Sequence, residues 1–153
     1  MAYKRILVPV DGSATSKAGL REAIGIAKGQ KASLQLVHVV DYHAVAMSGL
    51  DAGAYLDRLI DGLTDSGKRI LQRAEEQVRK SGVPVTSVLL ESPAGPAADA
   101  IVRQAKKAKA DLIVIGTHGR RGVRRLLMGS DAEQVVRNAP VPVMLVRAPD
   151  RQR

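Results

Sequence analysis

Asp111-Leu112-Ile113-Val114-Ile115-Gly116-Thr117-His118-Gly119-Arg120-Arg121-Gly122-Val123-Arg124-Arg125-Leu126-Leu127-Met128-Gly129-Ser130 is the stretch on which the fold turns. It opens on an unbroken apolar run, Leu112 to Ile115, which reads as a strand buried on both faces. It closes on Ser130, which reads as a helix start. Between them lie four of the chain's 14 glycines and four arginines. A glycine-rich loop between a strand and a helix suits a phosphate group. Glycines let the backbone turn sharply and approach an anion, and a helix N-terminus adds unpaired N–H donors and partial positive charge.

The flanking segments repeat the strand–helix theme. Ile6-Leu7-Val8-Pro9-Val10 reads as a buried strand ended by Asp11-Gly12-Ser13. Ala14, Ala18, Leu20, Ala23, Ile24 and Ala27 then recur at helical spacing, with Ser13 as N-cap and Gly29 as stop. Leu34 to Val40 reads as the second strand, closed by Asp41, and Tyr42 to Ala54 as a loop. From Tyr55 the apolar positions Leu56, Leu59, Ile60, Leu63, Gly67, Ile70, Leu71, Ala74 and Val78 trace one face of a long helix ending at Ser81-Gly82. Gly62 and Gly67 each weaken that helix by about 1 kcal/mol relative to Ala, so a break in its first half is expected. Val83 to Leu90 is the third strand. Pro96 suits the first position of the next helix, whose apolar stripe is Ala98, Ile101, Val102, Ala105 and Ala108. Ser130 to Asn138 reads as a short helix and Val141 to Val146 as a fifth strand, before a frayed polar tail, 148–153.

Strands alternating with helices make an α/β protein: an open parallel sheet covered by helices on both faces. With 153 residues, no long repeat and no linker, the whole chain, 1–153, reads as one domain. In such sheets ligands bind beyond the carboxyl ends of the strands, where strand order reverses. Asp11-Gly12-Ser13, Val39-Val40-Asp41 and the Gly116 loop all lie at such ends.

Composition narrows the function. Cys is absent, so disulfide and thiolate chemistry are excluded. Neither a signal peptide nor a long apolar span is visible, which makes a cytoplasmic location and no membrane contact the expectation. The net charge is +9, and between Arg103 and Arg125 eight basic residues stand against one acid, Asp111. That run reads first as a solvated helix face followed by a phosphate loop. Phe and Trp are absent and Tyr numbers three, so single-stranded nucleic acid would lack stacking platforms. Nucleic-acid binding by the basic run is therefore the weaker alternative. No P-loop or dinucleotide fingerprint is present. His38 and His43 have no ligand-spaced acids or thiols around them, so no metal site is expected from side chains. His118 lacks a nearby carboxylate to orient it as a base, so no catalytic residue is assigned. Ser130-Asp131-Ala132-Glu133 is a capping box as it stands, so Ser130 serves either its helix or a phosphate.

The spacing Gly116-x2-Gly119-x9-Gly129-Ser130 resembles the nucleotide-binding signature of the universal stress protein family. Lys4 to Ser13, Leu36 to Asp41 and Asn138 to Val143 resemble that family too, and the similarity runs from Tyr3 to Arg147. The resemblance implies a Rossmann-like fold of the adenine nucleotide alpha hydrolase-like kind, with strand order 3-2-1-4-5. It implies a stress-response binding or signalling module for ATP or another adenine nucleotide, with Mg or Mn held through the phosphates. By position, Asp11 resembles the family acid on the ribose or adenine side, and Pro9 and Val39 resemble residues around the base. Gly116, Gly119, Gly129 and Ser130 match the signature. Arg120 is the matching phosphate contact, and the N–H groups of Asp131 and Ala132 complete the nest. Asp131 is a departure: an acid beside a phosphate repels it, which bears on triphosphate affinity. A slow ATPase or phosphotransferase is the alternative, although no clear base or metal-binding acid supports it. The apolar Val141–Val146 edge and the resemblance together predict a homodimer through the last strand.

Overall fold

The computed structural model describes residues 2–42, 53–92, 94–118 and 128–149. Its elements in chain order are β1 (Arg5–Pro9), α1 (Ala14–Gln30), β2 (Ser33–Val40), α2 (Gly53–Lys80), β3 (Val85–Glu91), α3 (Ala97–Lys107), β4 (Leu112–Gly116), α4 (Ser130–Asn138) and β5 (Val143–Val146). The strands form one parallel sheet in the order β3-β2-β1-β4-β5. The expected α/β architecture and strand order are both present.

The sheet is coated on both faces because β1 from Ile6 to Pro9 and β4 from Leu112 to Ile115 carry apolar side chains without interruption. Alternate side chains of a strand point to opposite faces. Ile6, Val8 and Val10 of the β1 segment, with Leu34, Leu36, Leu112 and Val114, pack under Leu20, Ala23 and Ala27 of α1 and Leu71, Ala74 and Val78 of α2. Leu7, Val37, Ile113 and Ile115 face the other way, against Ala98, Ile101 and Ala105 of α3 and Ala132 and Val135 of α4. The chain moves outward from β1 to β2 and β3, then returns past β1 to β4 and β5. Strand order therefore reverses between β1 and β4.

Several boundaries differ from the sequence reading. β3 starts at Val85 and β5 at Val143, each one residue after a proline. Pro84 and Pro142 lend only their carbonyls to the sheet, accepting from Leu34 N–H at 2.9 Å and Ile113 N–H at 3.0 Å, since proline has no N–H to donate. Pro96 is the N-cap of α3 (φ −68°, ψ 152°), not its first helical residue. α1 runs past Gly29 to Gln30, and Lys31 takes the left-handed turn (φ 55°) that closes it. α2 begins at Gly53 and runs unbroken to Lys80, so the break expected near Gly62 and Gly67 does not occur. Gly67 is buried, in line with its place on the apolar face: a Cβ built there would lie 2.6 Å from His38 Cδ2 and 3.0 Å from Leu89 Cδ1. The rest of the Tyr42–Ala54 loop reading, 43–52, lies outside the described residues, as do 150–153 of the tail.

Candidate functional site

The point of strand reversal is built from the exits of β1 and β4 and the first turns of α1 and α4. β1 ends in half-buried Pro9, and Val10 N–H bonds Val37 O at 2.8 Å, tying the exit to β2. Asp11 then organises the turn. Its backbone N–H donates to Ser16 Oγ at 3.1 Å, and its Oδ1 accepts from Ser13 N–H at 2.8 Å. Gly12 takes φ 81°, a conformation open to glycine. Ser13 is the N-cap of α1 as expected, its Oγ accepting from Ser16 N–H at 3.2 Å. His38 rests below, its Nδ1 2.7 Å from Val10 O.

β4 enters the same place from the other side of the reversal. Gly116 packs on the first turn of α1: a Cβ there would lie 2.7 Å from Thr15 C, 2.8 Å from Thr15 Oγ1 and 2.9 Å from Ser16 N. The first signature glycine thus has a packing reason of its own. Thr117 N–H donates to Val146 O at 3.0 Å, and Thr117 Oγ1 lies 3.0 Å from His118 Nδ1. The carbonyl of His118 accepts the Thr15 hydroxyl, with Ser13 Oγ 3.4 Å away. The chain after β4 is therefore anchored to the helix after β1 by side-chain hydroxyls. Thr15, Ser16 and Thr117 were not singled out from the sequence. The dense hydroxyl run Ser13-Ala14-Thr15-Ser16 was the available signal.

The start of α4 differs from the capping-box reading. Gly129 is the N-cap (φ −60°, ψ 152°), with no side-chain cap bond, and Ser130 is already the first helical residue. The Ser130 hydroxyl is thus not employed as an N-cap. Gly129 N–H donates to Thr117 O at 2.7 Å, which fastens the helix start to the exit of β4. The first intrahelical bond is Glu133 N–H to Gly129 O at 3.0 Å. The N–H groups of Ser130, Asp131 and Ala132 precede it, the position at which helix donors lack intrahelical acceptors. Asp131 is exposed, and Glu133 pairs with Arg137 at 2.9 Å.

Val39 is half-buried near the end of β2, opposite Leu90 of β3. Beyond it, the Tyr42 hydroxyl donates to Glu91 Oε2 at 3.4 Å. Loss of solvation, followed by the charge and hydrogen bond of the Glu91 carboxylate, raises the Tyr42 pKa above the ordinary phenol value. Of the expected site residues, Pro9, Asp11, Gly116, Gly129, Ser130 and Asp131 sit on the segments that meet at the reversal point, with Val39 on the neighbouring strand. Gly119 and Arg120 lie outside the described residues.

Of the basic run Arg103–Arg125, residues 119–125 lie outside the described residues. Arg103, Lys106, Lys107 and Lys109 stand on α3 and its exit, before β4 begins, whereas Gly116 to His118 leave its far end. Five strand residues separate the two by roughly 13 Å. Among the described residues no group of three or more His, Cys, Asp or Glu is placed to hold a metal, and no helix is long and apolar enough to cross a membrane.

A doubly wound parallel sheet with a glycine-flanked helix start at its reversal point defines a class of α/β proteins that present a crevice at the strand exits. Within that class, a model of the universal stress protein family matches residues 2–147, and the chain belongs to that family. It is 37% identical over 150 residues to a universal stress protein of Methanocaldococcus jannaschii, covering 98% of this chain and 85% of the relative. Its fold matches universal stress protein UspA of Lactobacillus plantarum with a TM-score of 0.82 at 29% identity, over 96% of this chain and 99% of that one. It also matches the universal stress protein of Archaeoglobus fulgidus solved in complex with dAMP, with a TM-score of 0.69 at 29% identity, over 95% of this chain and 99% of that one.

Proposed function

We propose that the protein is a single-domain binding module that holds an adenine nucleotide in the crevice between the exits of β1 and β4. The observation that carries this reading is the start of α4. Ser130 is released from capping by Gly129 and stands in the first turn of a helix aimed from the strand-reversal point. Its hydroxyl and the N–H groups of the first turn supply donors for a phosphate where the helix dipole favours negative charge. Asp11, held by the Ser13 and Ser16 bonds, stands on the ribose side, with Pro9 and Val39 beside the base. Gly116 lines the approach, and the family signature assigns Gly119 and Arg120 to the phosphates. The dAMP complex of the Archaeoglobus relative supports adenine as the base.

ATP, ADP and AMP are all candidate ligands, with Mg or Mn carried on the phosphates of the longer two. Asp131, in the same first turn, opposes each added negative charge and ranks the monophosphate above the triphosphate in relative terms. The protein works as a cytoplasmic stress-response module and not as a catalyst, and it pairs with a second copy through β5. That edge strand exposes Met144 at 36% and Leu145 at 38%, apolar side chains on an edge of the kind that proteins ordinarily cover.

The test is the nucleotide content of natively purified protein after acid release, followed by calorimetric titration with ATP, ADP and AMP. Gly129→Leu is expected to abolish the heat while circular dichroism stays unchanged. No released nucleotide and no heat at millimolar ligand would sink the reading.

A further inference from the structure

We propose that the N-terminal edge of the sheet, opposite the candidate nucleotide crevice, is a docking face for the phosphate backbone of a nucleic acid duplex. The topology gathers cations there. Every helix runs back antiparallel to the strands, so the helix ends and the strand starts share one edge. Lys4 and Arg5 open β1, and Lys28 and Lys31 close α1. Lys80 closes α2, while Lys106, Lys107 and Lys109 stand on the last turn and exit of α3. All of these side chains are exposed. Strand neighbours lie about 4.8 Å apart, so the row is compact. The Ser33 N–H bond to Lys4 O, the Asp111 N–H bond to Arg5 O and the Arg5 Nε–H bond to Lys109 O fix it across β2, β1 and β4.

Little at this edge neutralises the row. The Asp111 carboxylate accepts the backbone N–H groups of Lys4 and Arg5 at 2.8 and 3.1 Å. Glu75 and Glu76 stand about a turn further up α2, and Glu75 pairs with Arg79. A second, independent feature concerns the backbone. Among the described residues, the non-glycine positions with positive φ are Lys31 (φ 55°) and Lys109 (φ 51°). Helix exits of this conformation favour glycine. The chain instead carries a lysine at both, each on this face, against the local backbone preference.

The shape points to an extended ligand. A recess of about 230 Å³ opens at this edge, but among its lining residues Arg5 alone is charged, so it does not grip a small anion. The face offers no stacking platform for single strands: Tyr3, the tyrosine nearest it, packs half-buried on the core. Among the described residues it also offers no apolar anchor for a membrane, because the exposed large apolar ones are Tyr55, Val136, Met144 and Leu145, on α2's first turn, α4 and β5. A duplex presents one charge per about 1.7 Å of axis and needs only a rigid row of cations, read without sequence preference.

Fluorescence anisotropy of a labelled DNA duplex of about two helical turns, titrated with the full chain at several KCl concentrations, tests this. We expect binding whose logarithm falls steeply with log salt. Lys106→Glu/Lys107→Glu/Lys109→Glu should lower the magnitude of that slope by roughly 3, while Arg124→Glu/Arg125→Glu and saturating AMP leave it unchanged. Lys31→Gly with Lys109→Gly should raise the thermal midpoint and yet weaken duplex binding, a pair of effects that helix-end stabilisation alone does not produce. The proposal is overturned if the α3-exit variant keeps the parental slope, if AMP or the loop variant abolishes binding, or if the glycine pair leaves affinity intact. Capture on phosphatidylserine vesicles at a salt concentration that releases the duplex overturns it in favour of a lipid surface. Because AMP occupies the other end of the sheet, failure here leaves the nucleotide reading standing, and the reverse holds too.

Discussion

Single glycines in this chain have opposite meanings depending on what faces them. A Cβ at Gly116 would meet backbone atoms of Thr15 and Ser16 at 2.7 and 2.9 Å. Those atoms belong to the first turn of α1 and move only if the helix moves. Gly116→Ala is expected to destabilise by about 1–3 kcal/mol, the usual cost of overpacking, read from the midpoint of urea unfolding. Gly67 faces the end of a flexible ring. Gly67→Ala gains about 1 kcal/mol of helix propensity but must displace His38, whose Nδ1 lies against Val10 O. A net loss is expected, and it should shrink or reverse in a His38→Ala background, the signature of direct coupling. Gly25 and Gly62 have nothing within 4 Å of a built Cβ, so Ala at either should stabilise by about 0.5–1 kcal/mol. Equal effects at all four positions would refute this packing account. Tyr42 offers a pH readout. Its pKa is raised in the fold, so the stabilisation it contributes is complete below the ordinary phenol pKa and is lost as pH rises through the folded value. In an ultraviolet titration Tyr42→Phe should remove a phenol that ionises above the ordinary phenol value.

At the scale of elements, α1 and α4 are the two helices whose starts meet the strand exits, and their caps differ in kind. Ser13 caps α1 by accepting Ser16 N–H and also stands near the His118 carbonyl. Ser13→Ala should cost about 1 kcal/mol in stability, as lost caps commonly do. It should also loosen the hold on the chain after β4 and so weaken nucleotide binding, measured by calorimetry. Ser130→Ala should leave stability within about 0.5 kcal/mol, because Gly129 holds the cap position, yet weaken binding if the hydroxyl meets a phosphate. A stability loss at Ser130 equal to that at Ser13 would mean that Ser130 is a structural cap after all. Much of the element map was legible beforehand. Continuous apolar runs marked β1 and β4, a largely apolar run interrupted at Gln35 marked β2, and the period of α2 was plain from Leu56 to Val78. What was not legible depended on tertiary contact. The continuity of α2 through Gly67 follows from the room that His38 needs. The one-residue shift at Ser130 follows from Gly129 N–H being drawn to Thr117 O, a bond between segments twelve residues apart. The hydroxyl bridge from Thr15 to His118 joins the two halves of the fold and has no local signature. The full crevice was legible only as a set of strand ends, since composition says where strands stop but not which neighbours they meet.

At the scale of the molecule, nucleotide binding at the proposed crevice couples to global stability. A ligand that binds the folded chain alone adds RT ln(1 + [L]/Kd), about 2.7 kcal/mol at a hundredfold excess over Kd. For a domain of this size each kcal/mol moves the melting temperature by roughly 2–4 °C, so saturating AMP should raise it by about 5–10 °C. ATP should give a smaller rise at equal concentration, because Asp131 in the first turn of α4 meets the additional phosphate charge. Asp131→Asn should remove that difference: removing one unit charge at a few ångströms in a hydrated site is worth about 1 kcal/mol, close to fivefold in affinity. A β5 variant separates ligand linkage from assembly. Leu145→Lys places a charge on the exposed edge and should yield monomers in sedimentation velocity if β5 forms the dimer, while keeping the AMP-induced rise, since the β1–β4 crevice lies within one chain. A lost rise in that variant would instead place the nucleotide site at the contact between two copies.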